Sequence, residues 1–502
     1  MNMNANRFKI LLFSMSLLLC LTACNNGGNV ADSSIEGFEE SEKYQEPVEV
    51  DLSDIRKKGK LTALTSYGMT SYFLYRGQPM GYEYELLKRL AEYLDLELEI
   101  KVAYNMDQFI NMLNQGEGDI IAHNLTITQD RQRYVDFTEH HTTTQQVLVQ
   151  RKPENWRKMK VHNIEKTLIR DPLKLIGTSV HVREESSYYE RLQNLSNEMG
   201  GDIDIQPISG KVTTSEIIRK VAEGEIDYTV ADRHIAELND TYYNNLDVET
   251  ALSFNQRLAW AVRKTSPEML KAVNEWISSM KNDVDYYVIY NKYFKNKKSF
   301  VTRADSEFFS KKGNKISAYD ELIKKYAEKI EWDWRLLASQ IYQESHFDPK
   351  TKSWAGARGL MQVMPRTAKQ FGNYELYDPT QNLEVGVKFI EYVSNLYKDV
   401  EDPDERMRFI LATYNVGQGH VADARRLAEK YGKNPDVWTD NVDKYILLKS
   451  YKEYYQDEVV KYGYCRGQEP YNYVTEILKR YETYREFITD DEEEDKLATV
   501  NS

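Results

Sequence analysis

The sequence predicts a multidomain protein in which an α/β domain is followed by a mainly α domain. Three observations carry this prediction. At 502 residues the chain is too long for one ordinary hydrophobic core and sets an expectation of two to four domains. From Lys60 onward, short apolar runs alternate with amphipathic helical patterns, as in α/β architecture. Beyond a charged stretch at residues 298–315, read as a linker, almost every periodic segment has helical spacing.

The N-terminal residues form no part of either domain. Arg7 and Lys9 precede an apolar run, residues 10–21, that is too short to span a bilayer, which is the pattern of an export signal over residues 1–23. Leu21-Thr22-Ala23-Cys24 resembles the bacterial lipobox, and that resemblance implies acylation of Cys24 and a membrane anchor. Asn25 is not an inner-membrane retention acid of the enterobacterial kind, so the expected location is the periplasmic face of the envelope, at the outer membrane. Residues 24–52 are expected to be a flexible tether. With 79 acidic and 66 basic residues the net charge is −13, which argues against nucleic acid as a partner. The 37 tyrosines and 7 tryptophans suit carbohydrate or peptide grooves, and equally suit ordinary cores. Two of the three cysteines lie at the extreme N-terminus, leaving Cys465 without a disulfide partner. The 8 histidines have no metal-ligand spacing, and neither metal nor cofactor is expected.

In the α/β region, residues 61–64 read as a strand. Residues 82–94 read as a helix with Leu86, Leu87, Leu90, Ala91 and Leu94 on one face. A strand at 96–102, a helix at 109–113 broken by Gly116 and Gly118, and a buried strand at 119–122 follow. The next turn, NLTITQDR, offers hydroxyls, backbone N–H groups and a guanidinium beyond a strand's carboxyl end, where open α/β sheets bind ligands. The runs GYEYELLKRLAEYLDLELEI and DIIAHNLTITQDRQRYVDFT resemble the family 3 extracellular solute-binding proteins. The resemblance implies a bilobed, periplasmic-binding-protein-like domain at residues 53–297, with lobe 1 at 53–149 and 253–297 and lobe 2 at 150–252. It further implies that Thr126 and Arg131 hold a ligand carboxylate, that Ser186 and Ser187 add donors, and that Asp232 receives an ammonium. The expected ligand is an amino acid or a cell-wall peptide. Asn124 stands where the family usually has Gly, and the aromatic cover is open among Tyr67, Tyr72 and Phe73.

The helical region, residues 316–488, contains expected helices at 318–329, 334–345, 365–371, 382–397, 404–415, 420–431 and 471–486, before an acidic tail at 489–502. Its centre is Glu344. Asp333 reads as the N-cap of a helix that ends near Ser345, because His346-Phe347-Asp348-Pro349 pushes the backbone out of the α region. Leu337, Ile341 and Glu344 then share a face at i, i+4 and i+7, so a carboxyl joins an apolar stripe in the helix's last turn. Burial and the helix dipole both raise its pKa there, toward that of a general acid; the other reading is a Glu solvated at the helix rim.

QESHFDP, GARGLMQVMP, ATYNVGQG and EPYNYV, in that order, resemble the soluble lytic transglycosylase domain, a lysozyme-like helical fold. The resemblance implies cleavage of the MurNAc-GlcNAc β-1,4 bond of peptidoglycan, with Glu344 as the one catalytic carboxylate and 1,6-anhydro-MurNAc ends as products. It assigns Ser345, Gly359, Met361, Gln362, Tyr414, Asn415, Glu469 and Tyr473 to substrate binding, the side chain of Met361 also reading as a core filler. The Tyr414 hydroxyl is a candidate partner for Glu344. Two other readings stand beside this one: a hydrolysing lysozyme-type muramidase, and a binding lipoprotein for amino acids or peptides with a wall-binding module.

Overall fold

A computed structural model describes residues 44–209, 211–308 and 314–488, which belong to one compact unit. The expected signal segment, Cys24 and the acidic tail lie outside the described residues. Among the described residues no helix is long and apolar enough to cross a membrane.

The first half is an α/β domain of two lobes, each built on its own sheet. The first sheet has the order Glu97–Val102, Lys60–Thr65, Ile120–Thr126, Gln256–Val262, Asp136–Phe137, with Thr142–Thr144 also paired to Gln256–Val262. The second has the order Asp204–Ile208, Ser179–Arg183, Tyr228–Asp232, Gln146–Arg151, Leu246–Asp247. The chain therefore crosses between the lobes just after Thr144, earlier than the expected residue 150. An apolar run such as QVLVQR reads as a strand in either sheet, so its sequence does not say which one it joins.

Two segments expected to be loose are packed. Tyr44 is buried edge-on against Tyr134 with ring centroids 4.5 Å apart, Val48 N–H bonds the Asn114 carbonyl at 2.9 Å, and Leu52 opens a helix capped by Asp51. The expected tether at 24–52 is thus packed from Tyr44 onward, since the apolar residues interleaved there find a core. In the expected linker, Lys297–Ala304 is a helix that inserts Phe300 into the first lobe's core.

The helical domain surrounds Trp334–Ser345, which packs against Gln468–Phe487 and Asp320–Ala327. Nine of its twelve residues are buried, so the helix is enclosed further around than a one-sided stripe suggests. The short helical segments Trp438–Val442, Asp443–Leu448 and Lys452–Tyr455 were not legible, being too brief to establish a period.

The two domains share a tight seam. A two-stranded hairpin of the first lobe, Phe73–Tyr75 with Gln78–Met80, presses onto the helical domain and places Leu74 in that domain's core. The Tyr484 hydroxyl donates to the Gly77 carbonyl at 2.8 Å. Gly77 has φ 72°, and a Cβ there would lie 2.6 Å from that hydroxyl and 2.8 Å from the Phe347 ring, so only glycine fits. Phe487 packs on Tyr67 and Tyr72, with centroids at 4.4 and 5.1 Å, and Lys479 pairs with Glu97 at 2.9 Å.

Candidate active site

Helix Trp334–Ser345 starts as expected. Asp333 accepts from Arg335 N–H at 2.9 Å and holds the Arg335 guanidinium at 2.7 Å, while His346 closes the other end in the left-handed conformation. Leu337 and Ile341 are fully buried on the face that Glu344 shares. Glu344 itself is half-buried in the last turn. Its carboxyl is pushed up to about 7 by burial, against the opposing influence of one hydrogen bond from Tyr473. The Tyr473 hydroxyl donates to Glu344 Oε1 at 2.5 Å, and Gln340 Nε2 donates to that hydroxyl at 3.2 Å. Burial, and then the neighbouring Glu344 carboxyl, raise the phenol pKa values of both Tyr473 and Tyr414. The site therefore holds a carboxyl that can exchange its proton near neutral pH, with a donor ready to stabilise its anion.

Several expected contacts take a different form. The Tyr414 hydroxyl donates to the Met361 carbonyl at 2.8 Å, so Tyr473 and not Tyr414 bonds Glu344. The Ser345 hydroxyl is buried and donates to Leu360 O at 2.7 Å and Ile341 O at 3.2 Å, which bolts the Gly-rich loop to the helix end. The Met361 side chain is in the core, as the core-filler reading expected, and its backbone N–H bonds Asn382 Oδ1 at 2.8 Å. At Gly359 the backbone approaches the protein closely: φ is 80°, and a Cβ would meet Leu376 O at 2.1 Å. Gln362 is half-buried with a left-handed backbone (φ 47°), and its amide donates to Thr351 O at 3.0 Å and Gly359 O at 2.9 Å. Asn415 is half-buried in the last turn of Pro403–Val416, and Glu469 is exposed in the first turn of Gln468–Phe487. Gln340 escaped the sequence reading, although its position one helical turn before Glu344 placed it on the same face.

In the α/β domain, Thr126, Arg131, Ser186, Ser187 and Asp232 line one cavity of about 110 Å³ between the lobes. Thr126 and Ser187 hydroxyls meet across the cleft at 3.3 Å, and Gln146 Nε2 donates to Ser187 at 3.1 Å. Ser186 caps helix Ser187–Met199 and donates to the Arg183 carbonyl at 2.5 Å. Arg131 is buried and bonds the Thr126 carbonyl at 3.1 Å. Asp232 accepts from Tyr188 at 3.1 Å, and its other oxygen is buried without a protein partner. Burial pushes the Asp232 carboxyl up to about 7, with Tyr188 and Arg131 acting the other way. Tyr67 lines the cavity, whereas Tyr72 and Phe73 do not. His123, bonded to Ser66 at 3.2 Å and held neutral by burial, also lines it; a lone His within a strand gives no sequence signal. Among the described residues no group of three or more His, Cys, Asp or Glu side chains is placed to hold a metal ion.

Residues 61–296 match the family model of bacterial extracellular solute-binding proteins, family 3, and residues 321–437 match that of the transglycosylase SLT domain. A membrane-bound lytic murein transglycosylase F of Desulfosudis oleivorans is 36% identical over 87% of this chain and 92% of its own length. The protein of that name from Aliivibrio fischeri is 32% identical over 86% of this chain and 84% of its own. Among solved structures, an ancestral amino acid-binding protein is 27% identical, covering 48% of this chain and 98% of its own, with a TM-score of 0.40.

Proposed function

The chain belongs to the membrane-bound lytic murein transglycosylase F family, and from that premise we propose that Glu344 carries the chemistry of a peptidoglycan lyase. The enzyme is a peptidoglycan lytic transglycosylase of the cell envelope with a solute-binding-type N-terminal domain. In the proposed step the neutral Glu344 carboxyl protonates the glycosidic oxygen between MurNAc and GlcNAc as the bond to the anomeric carbon breaks. The resulting carboxylate, steadied by Tyr473, takes the proton of the muramyl 6-hydroxyl, whose oxygen closes on the anomeric carbon. The products are a 1,6-anhydro-MurNAc end and a free GlcNAc 4-hydroxyl, and the enzyme ends with its proton restored. One carboxylate suffices because the nucleophile is part of the substrate, unlike the paired acids of ordinary glycosidases.

The observation that carries this reading is Glu344 Oε1 at 2.5 Å from the Tyr473 hydroxyl, with burial holding the carboxyl near 7. Mass spectrometry of digested murein tests it. Anhydro ends released by the parent and lost in Glu344→Gln are expected; reducing ends would identify a hydrolase instead.

The finer assignments belong to the same proposal. The interlobe cavity takes a small ligand with a carboxylate for Arg131 and an ammonium for Asp232, an amino acid or a cell-wall peptide end, supported by the unpartnered Asp232 oxygen. Its occupancy modulates cleavage. Residues 66–71 line the cavity, and the hairpin that follows them bonds Tyr484 and leaves no room for a Cβ at Gly77 against Tyr342 of the Glu344 helix and Phe347 just beyond it. Acyl chains on Cys24 tie the protein to the outer membrane, so Cys24→Ser should shift it from the membrane to the soluble fraction.

A further inference from the structure

Trp354 is fully exposed to solvent. An indole ring left bare in water is costly, yet the turn that carries it is firmly held. Ser353 N–H bonds the Ala357 carbonyl at 3.0 Å, Gly356 N–H bonds the Ser353 carbonyl at 3.0 Å, and the Ser353 hydroxyl accepts from Ala357 N–H at 3.0 Å. Lys352 and Arg358 face each other in an antiparallel bridge below the turn. The base of this small hairpin is joined to the catalytic machinery, since the Gln362 amide and Gly359 N–H both bond the Thr351 carbonyl at 3.0 Å and Ser345 holds Leu360. Trp354 lies three positions after Thr351, so its backbone lies within about 10 Å of the Gln362 contact. The fold thus fixes the backbone of an exposed aromatic residue on the loop that Ser345 ties to the end of the Glu344 helix.

The segment of sequence that carries Trp354 is also basic. Across residues 350–374 the sequence has Lys350, Lys352, Arg358, Arg366 and Lys369 and no Asp or Glu, in a chain whose net charge is −13. Lys350, Lys352, Arg366 and Lys369 are exposed, and the Arg358 guanidinium lies 5.7 Å from the Tyr377 ring centre. A basic strip on an acidic protein selects an anionic partner at short range.

We propose that Trp354 and this strip form a strand-binding subsite away from the cleaved bond, in which the indole stacks on a pyranose face while the lysines and arginines receive the carboxylates of the peptide stems. A peptidoglycan strand has both features, apolar C–H faces on its sugars and carboxylates at regular intervals. The inference rests on the lytic transglycosylase reading and extends it, because it gives the enzyme a preference for long, peptide-bearing strands.

The test compares full-length parent, Trp354→Ala and Trp354→Phe on peptide-bearing glycan strands and on a peptide-free GlcNAc-MurNAc tetrasaccharide. The ratio of kcat/KM on strands to that on the tetrasaccharide is expected to fall about three- to tenfold in Trp354→Ala, the scale of one aromatic contact, and to be largely restored in Trp354→Phe. Cleavage of peptide-bearing strands should weaken with added salt, and removing the peptides with an amidase should flatten that dependence. An unchanged ratio overturns the subsite. So does an equal loss on both substrates, which would make the ring a support for the loop, or a loss confined to binding of phosphatidylethanolamine-phosphatidylglycerol vesicles, which would make it a membrane contact. A Glu344→Gln enzyme that still releases anhydro ends removes the active-site reading, an outcome separable from any result at Trp354.

Discussion

In the proposed mechanism Glu344 releases a proton and takes one back near neutral pH, and its surroundings set both tasks. Because the acid form starts the reaction, kcat/KM should decline on the alkaline side with an apparent pKa near 7. Tyr473→Phe removes the hydrogen bond that favours the carboxylate, so the alkaline limb should move to higher pH while the maximal rate falls, as read from a pH-rate profile. A limb that stays in place would separate Tyr473 from the acid. Stability shifts in the opposite sense to a salt-bridged acid. The folded-state pKa lies above the ordinary value of 4.5, so the folded state gains nothing from this group below pH 4.5, loses stability as pH rises from there to about 7, and keeps the full penalty above. Glu344→Gln should therefore raise Tm at pH 8 and leave it nearly unchanged at pH 4, measured calorimetrically. The position of this acid was legible because an apolar stripe and a proline-limited helix end can be read in sequence. Its partner was not: Tyr473 and Tyr414 both carry a phenol to the site from distant segments, and only packing decides which one reaches Glu344.

At the scale of elements, the Glu344 helix and the Gly-rich loop behave as one part. Ser345 binds Leu360, Asn382 binds both Met361 N–H and the Arg358 carbonyl, and Tyr414 binds the Met361 carbonyl. Gly359→Ala would drive a Cβ into Leu376 O and Asn382, and should cost at least ~2 kcal/mol in denaturant unfolding while lowering activity through a displaced loop. Ser345→Ala leaves the Leu360 carbonyl without its donor and should cost about 1–3 kcal/mol, with Glu344 itself untouched. Helix existence was widely legible: the predicted 82–94 and 365–371 coincide with Tyr82–Leu94 and Pro365–Phe371, because strong periodicity sits between clear stops. The roles of loop residues were less so, since a Gly, Ser or Met in a conserved-looking motif can contact substrate or hold the loop, and spacing alone does not separate the two.

For the whole molecule, the seam between domains is the feature with consequences beyond either site. Gly77→Ala would press on Tyr484, Phe347 and Tyr342 together. It should enlarge the radius of gyration seen by small-angle scattering and alter cleavage, although Gly77 lies more than 260 residues before Glu344 in sequence. If amino-acid or peptide titration closed the α/β lobes while turnover on murein stayed constant, the proposed modulation would fail. The two-domain order was legible from the switch in periodicity, whereas the seam was not, because neither the hairpin nor the last helix shows in its own sequence what covers it.

The insertion of Leu74 also bears on how the protein can be dissected. A cut at residue 316 would give a chain bearing Glu344, Tyr473 and the Gly-rich loop, yet missing one side chain of its own hydrophobic core and the carbonyl that Tyr484 requires. The freed fragment would show water an apolar socket and a buried phenol without its acceptor, and should aggregate or lose helicity where the intact chain does not. Supplying a synthetic hairpin spanning residues 72–81 in trans should restore it, giving a helical domain completed by a second piece of the sequence.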